Sequence, residues 1–173
     1  MKLVQWVRFI WDLDKLPTLE MALPWHYSFT PATADDEKEL RLVIRRSFAH
    51  DTSWGDAFHE IEGMLDGRLV DAFDPDKTGI CFALRHGLRM IGAAILIPDP
   101  ARENHLSPRP CILMEYRNRG FGNALLGESL LRLQQAGLSR AAAVTEGNAP
   151  VAKFLYPKFN GVLTPGDTPL LAA

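Results

Sequence analysis

Cysteine is scarce in this chain: Cys81 and Cys111 are the only two in 173 residues. Each lies in an apolar, strand-like run, which reads as a reduced, buried thiol of a cytoplasmic protein and argues against a disulfide framework. No Cys/His cluster has ligand spacing, so no metal is expected. Net charge is also small, −2. That balance argues against a nucleic-acid partner held on a broad basic surface, while leaving room for one basic pocket. Long apolar runs are missing too. None approaches the roughly 18 residues a membrane span needs, so no membrane partner is expected. The opening Met-Lys and apolar run have the start of a signal peptide, but Gln5, Arg8, Asp12 and Asp14 interrupt it and no small-residue cleavage site follows. What is present is one domain's length, enough to bury a core.

Leu3 to Leu13 is rich in β-branched and aromatic residues. Alternation puts Leu3, Val7, Phe9, Trp11 and Leu13 on one face of a strand; a helix burying Leu3, Trp6, Val7, Ile10 and Leu13 scores nearly as well, and the strand is preferred. A proline-bounded connector closes this 1–24 extension, which could cover a sheet edge or a dimer face and makes a homodimer worth testing. A strand is expected over Trp25–Pro31. Thr33 with Asp36 forms a capping-box variant ahead of a helix whose buried face is Leu40, Val43, Ile44 and Phe48. Ser53 caps a second helix burying Ala57, Ile61, Met64 and Leu65. Ile80–Arg85 and Met90–Ile97 read as a hairpin around His86-Gly87, followed by a proline-rich loop from Pro98 to Pro110. Further on come a strand over Cys111–Met114, a helix from Gly122 burying Leu126, Leu130 and Leu133 with Gly137 as its stop, a strand over Ala141–Thr145, a short helix over Ala149–Phe159, and room for little more than one or two strands. This order predicts an α/β (α+β) sandwich: a mixed, mainly antiparallel sheet flanked by helices.

The stretch that organises this order is Arg117-Asn118-Arg119-Gly120-Phe121-Gly122-Asn123, a glycine turn between a strand and a helix. Glycine allows backbone angles that other residues avoid and lets a ligand lie close. The first N–H groups of a helix lack intrahelical partners, and the aligned peptide dipoles leave partial positive charge there. With the charges of Arg117 and Arg119 added, this is an anion seat suited to a pyrophosphate.

Arg117-x-x-Gly120-x-Gly122 also resembles the Q/R-x-x-G-x-G/A signature of the GCN5-related N-acetyltransferases, and Glu115-Tyr116 and Ala124-Leu125-Leu126 are similar to that family's flanks. A second segment, Asn148 through Ala152, Leu155 and Tyr156 to Gly161, is similar to the family's later signature. It departs in two ways: Asn148 lies one residue further from Tyr156 than usual, and Asn160-Gly161 replaces the closing Gly-Phe. Asparagine tolerates the left-handed conformation such an ending needs.

The resemblance covers roughly Trp25 to Gly161, within a domain taken as 25–173, and implies acetyl-CoA as co-substrate. The backbone of Cys111 and Ile112 would pair with the pantetheine arm, and amides from Asn118 to Asn123 would hold the pyrophosphate. Tyr156 would protonate the leaving thiolate. Asn148 would contact CoA, or merely cap the helix; both stand.

The implied reaction is direct acyl transfer to a small-molecule or protein amine. An amine of pKa ~10.4 must first be neutral, which costs about 4–5 kcal/mol at pH 7, whereas a phenol near ~10 protonating a thiolate near ~8.5 is uphill by only about 2 kcal/mol. No covalent enzyme intermediate is needed if amine and thioester are held in contact. The base is not assigned. Glu103, His105, Glu146, His50 and Asp51 are candidates, each read first as a solvated loop residue; Trp54 is a candidate wall of the acceptor site. A non-catalytic CoA-binding sensor or interaction module is the alternative.

Overall fold

The computed structural model describes residues 5–18, 22–49 and 58–164. The expectations for Leu3, His50, Asp51, Ser53, Trp54, Ala57 and the chain beyond Thr164 lie outside the described residues. Two antiparallel sheets carry the fold. The first contains β1 (Trp6–Asp12), β6 (Arg140–Glu146) and β7 (Val162–Thr164), in the order β6-β1-β7. The N-terminal stretch is thus a strand with neighbours on both sides, running from Trp6 opposite Glu146 to Asp12 opposite Arg140. Burial shows why strand wins over helix. Phe9, Trp11 and the following Leu13 are 5%, 0% and 0% exposed, whereas Trp6 and Ile10, which a helix would turn inward, are only half-buried.

The second sheet orders β2 (Tyr27–Pro31), β3 (Ile80–His86), β4 (Arg89–Leu96) and β5 (Cys111–Ile112) by sequence. Ahead of α1 (Glu37–Phe48), Thr33 and Asp36 close the expected capping box, with Thr33 N–H donating to the Asp36 carboxylate at 2.9 Å. Leu40, Val43, Ile44 and Phe48 are all buried. The second helix, α2 (Phe58–Phe73), buries Ile61 and Leu65 and, beyond the expected set, Leu69 and Arg68. α3 (Phe121–Gln135) buries Leu125, Leu126, Leu130 and Leu133 completely, and Gly137 follows it at φ 99°. Burial of these stripes, at about 25 cal/mol per Å² of apolar surface, is what joins the helices to the sheets.

Two elements differ from expectation. β5 ends at Ile112, and residues 114–116 form a 3₁₀ turn closed by Tyr116 N–H to Leu113 C=O at 2.9 Å, leaving Met114 exposed. The expected helix over 149–159 divides into a π-helical turn, Val151–Leu155, and a 3₁₀ turn, Tyr156–Phe159. Pro157 explains the break, because it has no N–H to continue the α-helical ladder. Asn160 ends the segment in the left-handed conformation at φ 62°.

Candidate functional site

β5 pairs with β4, and β6 with β1; among the described residues no ladder joins β5 to β6. The 97–110 loop bridges part of this split. His105 N–H donates to Ala142 C=O (2.7 Å), Ala142 N–H donates to His105 Nδ1 (2.9 Å), and Val144 N–H donates to Asn104 Oδ1 (3.3 Å). Because Nδ1 accepts, the ring proton sits on Nε2 and is donated to Asp99 C=O at 2.9 Å. Burial pushes the His105 pKa down. His105 is therefore a neutral stitch with both nitrogens in use, not the solvated base candidate of the sequence reading. Glu103 pairs on the surface with Arg8 at 2.6 Å. Glu146 is also not a solvated loop residue: it is buried at the end of β6, 5% exposed.

Beside β5 a cleft of about 440 Å³ opens, lined by Ser47, Arg109, Pro110, Ile112, Arg117, Asn118, Gly122, Asn123, Pro150, Val151, Phe154, Leu155 and Lys158. Among the described residues three cations and no carboxylate line it, a local positive field in a chain of net charge −2. The glycine turn forms one wall. Asn118 (φ 60°) and Gly120 (φ 84°) both take left-handed angles, so the chain swings round to start α3. A Cβ on Gly120 would meet nothing within 4 Å; its backbone angle, not crowding, calls for glycine.

The first backbone bond of α3 runs from Ala124 N–H to Gly120 C=O at 3.1 Å, and no side chain of the N-cap residue closes the helix end. Among the described residues, no acceptor is recorded for the N–H groups of Phe121, Gly122 and Asn123. No acidic residue in the first turn offsets the dipole. Gly122 keeps the wall low, since a Cβ there would come no closer than 3.8 Å, to Leu155.

The two arginines of the turn lie differently from the anion-seat expectation. Arg117 reaches back from the turn: its Nε donates to Ile112 C=O at 3.2 Å and its Nη2 donates to Ser47 C=O at the end of α1. It lines the cleft, but its donors brace β5 against α1. Arg119 is exposed, with its guanidinium carbon 5.5 Å from the centre of the Tyr116 ring, and does not line the cleft. Phe121 is buried against Tyr27, ring centres 4.6 Å apart.

On β5, Leu113 N–H donates to Ile91 C=O at 2.9 Å. In an antiparallel ladder successive residues alternate in direction, so Cys111 also turns its backbone to β4, and Ile112 turns outward. Of the two expected backbone partners, Ile112 is the one facing the split. The Cys111 thiol donates to Arg109 C=O at 3.0 Å, and burial pushes it up to about 11. Asn148 is exposed and does not line the cleft, and among the described residues its side chain caps no helix end; Ala149 N–H to Glu146 C=O (3.0 Å) closes that corner.

Tyr156 is fully buried under Phe9 and Trp11, ring centres 5.3 and 4.9 Å away, and does not line the open cleft. Among the described residues its hydroxyl has no hydrogen-bond partner, and burial pushes its pKa up, opposed by the charge of Arg109. A second, narrow gap of about 10 Å³ lies against Phe48, Ile61, Met64, Ser107, Pro108, Arg109, Val144 and Thr145. Arg109 borders both spaces. The sequence reading missed Arg109 and Lys158. Lys158 follows Phe154 by one helical turn, a legible signal; nothing local marks Arg109.

No protein-family model matches this sequence, and no curated protein matches it. Solved structures do. A GCN5-related N-acetyltransferase from Sphaerobacter thermophilus matches at 14% identity and TM-score 0.60, over 94% of this chain and 50% of that one. One from Kribbella flavida matches at 14% identity and TM-score 0.55, over 91% of this chain and 54% of that one. PaiA N-acetyltransferase from Thermoplasma acidophilum, solved in complex with coenzyme A, matches at 18% identity and TM-score 0.50, over 64% of this chain and 74% of that one. The chain spans about half the length of the first two. It has the fold of the GCN5-related N-acetyltransferases.

Proposed function

We propose that the protein transfers an acetyl group from acetyl-CoA to an amine, either a small molecule or a protein. One observation carries the reading: among the described residues the N–H groups of Phe121, Gly122 and Asn123 are uncapped, beside a cleft lined by Arg109, Arg117 and Lys158. A diphosphate satisfies such donors and such charge together. The coenzyme A complex of the Thermoplasma protein, which shares the fold, supports the same choice of ligand. On this reading residues 25–173 are the transfer domain and residues 1–24 an added segment. The pantetheine arm lies along Ile112. Asn118, Arg119 and Gly120 are assigned to the diphosphate turn through their backbone, with the helix amides, and Asn148 to a coenzyme contact beyond the cleft lining.

The amine nitrogen attacks the thioester carbonyl, a C–N bond forms and the C–S bond breaks. Tyr156 gives its hydroxyl proton to the departing sulfur and regains one from the proton the nitrogen loses, so no net charge is left behind. The raised phenol pKa does not defeat this step. Burial raises the neighbouring Cys111 thiol as well, to about 11, so a thiolate forming in such surroundings is disfavoured in the same direction as the phenolate and takes up the proton more readily.

Isothermal calorimetry with acetyl-CoA and CoA tests the binding half, with micromolar affinity expected for both. Release of free thiol across an amine panel tests the transfer half, with Tyr156→Phe losing about 10²-fold or more in kcat. Absence of binding would sink the assignment. The alternative, a coenzyme A sensor without turnover, draws on the lack of a carboxylate among the described residues of the cleft lining; tight binding with no thiol released across the panel would select it.

A further inference from the structure

Among the described residues, two buried hydroxyls have no hydrogen-bond partner: Tyr156 Oη and Thr145 Oγ1. A buried hydroxyl left unsatisfied is costly and uncommon in native proteins. Tyr156 has a role above; Thr145 has none. Its place follows from the ladder. Thr145 lies directly opposite Val7 on β1, and Val7, Phe9 and Trp11 alternate onto one face, the face on which Tyr156 packs. Thr145 also borders the narrow gap beside Arg109, and Arg109 lines the open cleft as well. The gap at Thr145 and the cleft that Ile112 lines therefore share one wall residue, Arg109, and Thr145 lies on the sheet face where Tyr156 packs.

We propose that Thr145 Oγ1 donates a hydrogen bond to the carbonyl oxygen of the acyl thioester, as a catalytic residue of the transfer reaction proposed above, on which this assignment rests. A thioester offers two acceptors. Sulfur is the weaker and is the atom Tyr156 protonates; the carbonyl oxygen is the stronger, and it gains negative charge as the amine adds. A hydroxyl held in a dry seat stabilises that charge with little reorganisation. Thr145 gives up no proton: the C–N bond forms and the C–S bond breaks as before, with the Thr145 O–H intact throughout. Its unsatisfied state without ligand is the cost of having the donor in place.

The test uses the full chain with Thr145→Val, which keeps the shape and removes the hydroxyl, and Thr145→Ser, which keeps the hydroxyl. Without ligand, Thr145→Val unfolds at or above the wild-type temperature, because the lost group had no partner. In calorimetry it binds CoA as wild type does and acetyl-CoA several-fold more weakly. Where an acceptor is in hand, kcat falls about 10²-fold and KM for acetyl-CoA rises several-fold with the weaker binding, and Thr145→Ser recovers most of the loss. Equal weakening of CoA and acetyl-CoA overturns the assignment, because the hydroxyl then touches the arm and not the acyl group. Clear destabilisation of the ligand-free valine variant overturns it as well, since the hydroxyl then has a protein partner. Wild-type protein that binds neither ligand brings down the transfer reading and this assignment together. Wild-type protein that binds both, beside a valine variant with the same two affinities, removes Thr145 alone.

Discussion

Arg117 separates two roles that its position in the glycine turn leaves mixed. Replaced by methionine, it keeps its aliphatic reach and loses five donors. In the structure two of those donors are in use, Nε on Ile112 C=O at 3.2 Å and Nη2 on Ser47 C=O. Hydrogen bonds from a charged donor contribute about 1.5–3 kcal/mol each, and a half-buried guanidinium sits at the lower end, so the pair is worth about 2–4 kcal/mol. In a chain of this length each kcal/mol moves the melting temperature by about 2–4 °C, which predicts a fall of about 5–15 °C without ligand. β5 is only two residues long, so loosening Ile112 also blurs the edge that faces the split, and CoA affinity falls as a consequence. Urea or thermal unfolding of the ligand-free variant, set beside calorimetry with CoA at two salt concentrations, reads both effects. A variant that unfolds like wild type yet binds CoA tenfold more weakly, with a flatter salt dependence, would refute the brace and make Arg117 a direct phosphate ligand.

Two further predictions concern the parts that shape the split. The pKa of His105 is lowered in the folded state relative to its unfolded value of ~6.5. The unfolded chain therefore takes up a proton that the native chain refuses, so stability is full above about pH 6.5 and falls as pH drops below it. The urea midpoint should fall between pH 7 and 5.5 in wild type and flatten in His105→Gln; parallel slopes in the two proteins would contradict the buried neutral ring. Gly92 lies under β5, where an added Cβ would meet Ile112 Cδ1 at 2.7 Å and Cys111 O at 2.9 Å. Gly92→Ala should cost about 1–3 kcal/mol by overpacking and weaken CoA binding by shifting β5, measurable by unfolding and calorimetry, with wild-type values in both counting against the close approach.

Much of this site was legible locally. The left-handed angles at Gly120 and Asn160, the start of α3 beside them and its apolar stripe follow from residue type and spacing, because backbone sterics and helical period act over a few residues. The strand at the N-terminus was legible as alternation, but not as a strand running between β6 and β7.

The destinations of side chains were settled only by the tertiary structure. Arg117 reads as a phosphate cation until Ser47, seventy residues away in sequence, is brought beside it. His105 reads as a loop base until Ala142 takes one ring nitrogen. Thr145 carries no signal in its sequence neighbourhood, because its meaning is a missing partner inside a folded core. Local sterics are written in the order of residues; hydrogen-bond partners and burial depend on which distant segments the core draws together.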